Sequence, residues 1–145
     1  MGEGQSHYLN RNNDNLSWVA TNLILKPESP FFSKGTLIGK RTKEKHITLQ
    51  NLYQIVNLLT KKSDLAKLSK EKILNITMFN FNLIKELLPD EWDDYKNYHL
   101  THITCLNALA IVGNELINEN YLVKSQQVDS VKLANKLLNL GEIYW

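Results

Sequence analysis

The sequence predicts an all-α protein: a compact bundle of about five helices, with a basic loop containing proline and glycine near the N-terminus. Apolar residues recur at helical spacing in several segments of the 145-residue chain. Thr48, Ser69 and Thr101 are candidate N-caps for three of these segments. Little of the chain alternates as a strand would. Hydrophobic residues make up 43% and charged residues 22%, which is typical of a globular chain.

The chain length suits a single domain. We predict that residues 1–14 form a disordered or loop-like N-terminal segment, because they are polar and have few apolar anchors. Residues 15–145 then form the helical domain. No stretch approaches the ~18 apolar residues of a membrane span, and the N-terminus has no apolar signal-peptide core. The single cysteine permits no internal disulfide. We therefore expect a cytoplasmic protein without a membrane partner.

The first predicted helix spans 16–25, where apolar residues repeat at helical spacing. It ends before Pro27, because proline disfavours helix in the residue that precedes it. The segment 27–47 holds two of the three prolines and two of the six glycines. We predict a loop there, with TLIG (36–39) as a possible short strand.

The next two helices each follow a candidate cap. Thr48 precedes a segment from 49 to 60 whose leucines and valine form one apolar face. Ser69 precedes a segment from 70 to 88 that is apolar on most sides, which indicates a central, buried helix. Pro89 stops it.

Two further helices complete the predicted bundle. One begins behind Thr101 and spans about 102–119, and the other spans about 128–140. A polar connection, 89–99, precedes the first of them. Gly113 lies inside that helix, where glycine costs roughly 1 kcal/mol relative to alanine. Close approach of a second helix would offset this cost.

His99, His102 and Cys105 are the clearest candidate metal ligands. Either neighbouring pair could share a metal, but residues six apart on a helix point about 120° away from each other. A structural zinc site needs four ligands, and no second cysteine exists. We therefore predict no metal site and no cofactor. Cys105, flanked by Ile103 and Leu106, is interpreted as a small buried hydrophobic residue rather than a nucleophile activated by His102.

The acidic cluster at 90–94 could hold a divalent cation, but it lacks the glycine and alternating oxygen ligands of an EF-hand loop. A solvated turn is the better interpretation. The sequence contains no Walker loop, no GxSxG motif and no defensible pair of catalytic carboxylates. We predict no catalytic residues and favour a non-catalytic protein, with an enzyme or metal protein that uses His99, His102 and Cys105 as a third, weaker hypothesis.

Basic residues are concentrated in two places. Because the formal net charge is only +2, the distribution of charge is more informative than its sum. Lysines on loops can neutralise phosphates with sequence-independent affinity, although they are equally common as ordinary solvated surface. No aromatic residues are interleaved to form a single-strand stacking platform. The predicted DNA-contacting residues are Lys34, Lys40, Arg41, Lys43, Lys45, Lys61 and Lys62, and Lys67, Lys70 and Lys72 continue the second group.

The C-terminal half carries the pattern of a known family. HITCLNALAIVGNELI (102–117), followed by LANKLLNLGEIYW (133–145), resembles the C-terminal end of DndB proteins, which belong to the DGQHR-domain group. Upstream, SPFFSKGTLIGKR and HITLQNLYQIV resemble the loop and the following helix of that group. The similarity covers roughly 20–145. The matching residues are His102, Leu106, Ala108, Leu109, Val112, Gly113, Asn114 and Leu116, then Leu137, Leu140, Ile143 and Trp145.

The group's DGQHR signature is not in this sequence, so we expect the chain to correspond to the C-terminal helical part of such a protein or to a shortened relative of it. The resemblance implies a helical module of a regulator of DNA phosphorothioation, a DNA sulfur modification linked to transcriptional regulation and phage defence. Such a module would contact double-stranded DNA or other proteins of the modification system. The alternative is a non-catalytic protein-interaction or dimerisation module of a DNA modification or defence complex.

Overall fold

A computed structural model confirms the all-α prediction. The structure describes residues 3–37, 42, 45–119, 121–122, 127–128 and 130–137. The helices within these residues are α1 (Glu3–Leu25), α2 (Leu49–Thr60), a short 3-10 helix (Asp64–Lys67), α3 (Lys70–Leu87), α4 (Pro89–Asp93), α5 (Ile103–Glu119) and α6 (Ser130–Leu137). Two-residue strands also occur: β1 (Gly35–Thr36), β2 (Ile47–Thr48), β3 (Tyr121–Leu122) and β4 (Gln127–Val128). Among the described helices, none has both the length and the apolar character that crossing a membrane requires.

Helix α1 begins much earlier than its apolar pattern predicts. Residues 3–14, which the sequence predicted to be disordered or loop-like, are helical. From residue 13 onward, where the side chains are described, the buried face of α1 includes Leu16, Val19 and Leu23. Backbone hydrogen bonds of a helix do not require an apolar stripe, so a polar extension of α1 produces no periodic signal in the sequence.

The predicted caps of α2 and α3 are confirmed. At the start of α2, the Asn51 N–H donates to Thr48 Oγ1 and the Thr48 N–H donates to Asn51 Oδ1, each at 3.1 Å. This reciprocal capping box satisfies two backbone donors at once. At the start of α3, Ser69 Oγ accepts from the Lys72 N–H at 3.3 Å. The start of each helix is therefore set by a hydrogen bond between its N-cap side chain and a backbone N–H group of its first turn.

Helix α2 has α5 and α1 as its main packing neighbours. At Gly113, α5 packs tightly against its neighbours. A Cβ atom at Gly113 would lie 2.9 Å from Leu59 Cδ1 of α2 and 3.1 Å from Asn80 Nδ2 of α3. The expected close approach of another helix at this glycine is confirmed.

A cluster of three buried aromatic rings fixes the segment between α1 and β1 to the bundle. The ring of Phe31 lies 5.2 Å from that of Phe81 in α3 and 5.5 Å from that of Trp92 in α4. Trp92 also donates from Nε1 to the Pro30 carbonyl oxygen at 3.3 Å. The connection predicted to be merely polar thus contains a short helix, α4, because Pro89 suits the first turn and Trp92 anchors it.

The small parallel sheet closes the basic loop at its base. Gly35 pairs with Ile47 and Thr36 with Thr48, so β1 begins one residue before the predicted TLIG strand. Near the C-terminus, β3 pairs with β4 in antiparallel orientation. Helix α6 is shorter than the predicted 128–140, and residues 138–145 lie outside the described residues.

Candidate nucleic-acid interface and a histidine-lined cavity

Lys34, the first of the predicted DNA-contacting residues, is only 8% exposed. Its backbone N–H donates to the Phe31 oxygen at 3.0 Å, and its carbonyl oxygen accepts from the Ile47 N–H at 3.0 Å. Burial lowers the pKa of its ammonium group; the Asp93 carboxylate opposes that effect and Lys85 adds to it. Lys34 therefore belongs to the packed base of the loop rather than to a phosphate-accessible surface.

The tip of the basic loop is described only in part. Lys40, Arg41 and Lys43 lie outside the described residues. Lys45 is exposed, and a local turn holds it: its N–H donates to Thr42 Oγ1 at 2.9 Å, and its carbonyl oxygen accepts from the Thr42 N–H at 3.1 Å. Lys45 is thus available to a partner at the surface.

The second basic group follows the end of α2. Lys61 and Lys62 are both exposed. Among the described residues, Lys62 is the non-glycine residue whose backbone has a positive φ, at 54°. A non-glycine residue in this left-handed region costs about 1–3 kcal/mol, so the conformation persists only where the surrounding structure imposes it. The chain therefore turns at Lys62 under constraint.

Asn114 of α5 supplies part of that constraint. Its side-chain amide Nδ2 donates to the carbonyl oxygens of Leu58 and Lys61, at 3.0 and 2.9 Å. The final carbonyl groups of a helix have no intrahelical partners, so a side chain from α5 completes the hydrogen bonding of α2. Beyond the turn, Ser63 Oγ accepts from the Leu65 N–H at 3.2 Å and starts the 3-10 helix.

An open groove of about 550 Å³ lies beside this turn. Within it, Lys67 lies 3.7 Å from Asp64, but both side chains are at least three-quarters exposed, at 75% and 77%. Such a surface pair contributes about 0–1 kcal/mol and leaves the lysine available. Lys61 and Lys62 form no ion pair with another described residue. The residues lining the groove are Lys62, Ser63, Asp64, Ala66, Lys67 and Asn118.

The histidines proposed as metal ligands contact each other. His99 Nδ1 lies 3.3 Å from His102 Nδ1, and His102 Nε2 lies 3.4 Å from the Tyr95 carbonyl oxygen. Because a carbonyl oxygen only accepts, His102 Nε2 is the donor in its contact with Tyr95. Cys105 is half-buried. In the described part of the chain, no three His, Cys, Asp or Glu side chains are grouped to hold a metal ion.

His46 joins the same cluster from far away in the sequence. Its ring stacks on Tyr95, with 4.0 Å between centroids, and Tyr95 lies 4.5 Å from His102. His46 Nε2 lies 3.2 Å from the Thr101 carbonyl oxygen and therefore donates to it. His46 is not among the residues predicted from the sequence to contact DNA. No local pattern relates it to Thr101, because the contact depends on the folded loop.

A cavity of about 170 Å³ lies between this cluster and the start of α5. Thr101 lines it and is fully buried, and its Oγ1 has no hydrogen-bond partner among the described residues. The prediction that Thr101 caps α5 is wrong, because the helix begins at Ile103. The His102 N–H donates to the His99 oxygen, so a turn precedes the helix and displaces Thr101 from the capping position.

Comparison of the chain with protein-family models, curated proteins and solved structures gives no match.

Proposed function

We propose that the chain is a helical module of a DndB-like regulator of DNA sulfur modification, and that it contacts the phosphates of double-stranded DNA through its lysine-rich loops. The observation that carries this proposal is the pair Lys61 and Lys62. Both are exposed, both are outside any ion pair of the described chain, and both follow a helix end that a neighbouring helix holds in place.

The constrained turn favours binding because it lowers the conformational entropy that the backbone loses when a partner binds. Lys62 is already held in a conformation that an unconstrained lysine rarely adopts. Ordering of loops and side chains opposes association, so a backbone fixed in advance lowers that cost. Lys67 across the groove adds a further charge for a phosphate.

The remaining predicted DNA-contacting residues are kept or excluded according to the solvent exposure of their side chains. Lys45 is exposed and remains in the proposed contact set. Lys40, Arg41 and Lys43 remain in it on the basis of their sequence positions. Lys34 is excluded because its side chain is buried.

The test is fluorescence anisotropy with a generic DNA duplex across a salt series. The variant Lys61→Gln/Lys62→Gln should bind more weakly, and the slope of log affinity against log salt should fall by about 2, since each phosphate contact contributes roughly 0.9. The matched control is Lys26→Gln/Lys96→Gln, which removes the same charge from other loops and should change the slope less. Equal losses in both variants would contradict a localised site, and absence of wild-type binding at low salt would reject the DNA proposal.

A second candidate function is a protein-interaction or dimerisation module, and one observation favours it. Ile111 and Val112 of α5 are 50% and 42% exposed, and Ala108 is exposed one turn earlier. Exposed apolar residues at this spacing suit a partner helix or a second copy of the chain. Sedimentation equilibrium at several concentrations should show self-association that Ile111→Ser/Val112→Ser abolishes if this face is used; a monomer at all concentrations argues against dimerisation.

A further inference from the structure

The cavity between the histidine cluster and α5 has the features of an anion site. It lies at the N-terminus of a 17-residue helix whose first turn contains no acidic residue. The first N–H groups of a helix have no intrahelical acceptors, and the helix dipole places partial positive charge there. A helix N-terminus alone does not define a site, so the remaining groups around the cavity are decisive.

Thr101 supplies the independent observation. Its side chain is fully buried and lines the cavity, yet Oγ1 has no hydrogen-bond partner in the described part of the chain. Buried hydroxyl groups are nearly always satisfied by protein, water or ligand. The carbonyl oxygen of Thr101 already accepts a hydrogen bond from His46 Nε2. The side-chain hydroxyl group is therefore the group of Thr101 that we consider as a donor to a ligand.

The chemistry and size of the cavity restrict what that group can be. The lining includes the imidazoles of His46 and His102, and none of the described lining residues is acidic. Its volume, about 170 Å³, is smaller than the ~300–1,000 Å³ of typical sites for drug-sized molecules. Hydroxyl and N–H donors without a facing carboxylate select an anion of a few heavy atoms.

We propose that this cavity binds a small tetrahedral oxyanion, either inorganic phosphate or a terminal phosphate monoester. The Thr101 hydroxyl group and the backbone N–H groups of Ile103 and Thr104 donate to its oxygens. This site is separate from the lysines after α2 and does not depend on the proposed DNA contact.

The test is an NMR titration of the full chain with inorganic phosphate, at fixed pH and with ionic strength held constant by chloride. Saturable shifts of the Ile103 and Thr104 amide signals and the His102 ring signals are expected. Shifts that grow linearly without saturation, or that appear equally with chloride alone, would overturn the proposal.

Two variants isolate the hydroxyl group. Thr101→Val keeps the shape of the side chain and should weaken phosphate binding about tenfold, as expected for loss of a hydrogen bond to a charged group. Thr101→Ser keeps the hydroxyl group and should retain binding. The matched control is Thr77→Val, which alters an equally buried threonine whose hydroxyl group donates to the Ile73 oxygen. Unchanged phosphate affinity in Thr101→Val would reject the site.

A parallel titration with a nucleoside 5′-monophosphate distinguishes the two sources of the phosphate group. Tighter saturable binding of the monoester identifies a terminal phosphate of a nucleotide as the ligand, whereas tighter binding of inorganic phosphate identifies the free ion. Both results support the oxyanion site. Failure of both ligands to saturate the wild-type signals overturns it, even if Thr101→Val does not fold.

Discussion

The side-chain amide of Asn114 donates to the backbone oxygen of Lys61 across the interface between α5 and α2, with 2.9 Å between the two atoms. The same nitrogen reaches the Leu58 oxygen at 3.0 Å. A side chain of α5 therefore satisfies the end of a helix that is distant in sequence, at the point where the exposed residues Lys61 and Lys62 begin.

Replacement of Asn114 by alanine should lower the free energy of unfolding by about 1–3 kcal/mol, because two carbonyl oxygens lose their donor. It should also weaken DNA binding by loosening the turn at Lys61 and Lys62. Urea denaturation and anisotropy measure the two effects. Asn118→Ala is the control, since Asn118 is exposed and the partner of its amide among the described residues is Asn114. A smaller loss in Asn114→Ala than in Asn118→Ala would contradict this role.

Replacement of Lys62 by glycine should separate stability from binding. Glycine adopts positive φ without a steric cost, so Lys62→Gly should raise the unfolding free energy by up to about 1 kcal/mol. The variant should nevertheless bind DNA more weakly, because a charge is lost. Lys61→Gly is the matched control: φ at Lys61 is −60°, so the same loss of charge should come with lower stability. Equal stability changes in both variants would show that Lys62 is not strained.

Lys34 should make stability depend on pH. Burial lowers its pKa in the folded chain below the ordinary value of 10.5. Between the lowered pKa and 10.5, the unfolded chain binds more protons, so the contribution of Lys34 to stability rises with pH across that window. Lys34→Met should remove this rise, as urea midpoints at a series of alkaline pH values would show. DNA binding of Lys34→Met should stay close to wild type; a loss as large as in Lys61→Gln/Lys62→Gln would return Lys34 to the interface.

Gly113→Ala should destabilise the protein despite the better helix propensity of alanine. The gain of about 1 kcal/mol in propensity is opposed by overpacking of about 1–3 kcal/mol, because the new Cβ meets Leu59 Cδ1 at 2.9 Å. A double-mutant cycle with Leu59→Ala measures the contact directly: the two changes together should cost less than their sum. Strict additivity would mean that Leu59 moves aside freely.

Short-range chemistry accounts for what the sequence could predict. The caps Thr48 and Ser69 bond to residues only three positions away, and the apolar face of α2 is visible as a 3-4 pattern. Even the close contact at Gly113 could be anticipated, because a glycine inside a helix requires a compensating reason.

What could not be predicted depends on long-range contacts. His46 reaches Thr101 across 55 positions of sequence, so the cavity has no local signature. Lys34 and Lys45 are lysines of the same basic segment, and nothing in the local sequence distinguishes them. Only the pairing of β1 with β2, which places the Ile47 N–H on the Lys34 oxygen, makes one lysine buried while the other stays exposed.

The parallel bridge also makes the basic loop modular. Because Gly35 is paired with Ile47, and Thr48 both pairs in β2 and caps α2, the two ends of the loop are fixed beside each other independently of what lies between them. The entropy of closing a loop changes slowly with its length. The segment between the strands can therefore lengthen, shorten or exchange its charges over evolution, or in an engineered chimera, while the register of α2 is preserved.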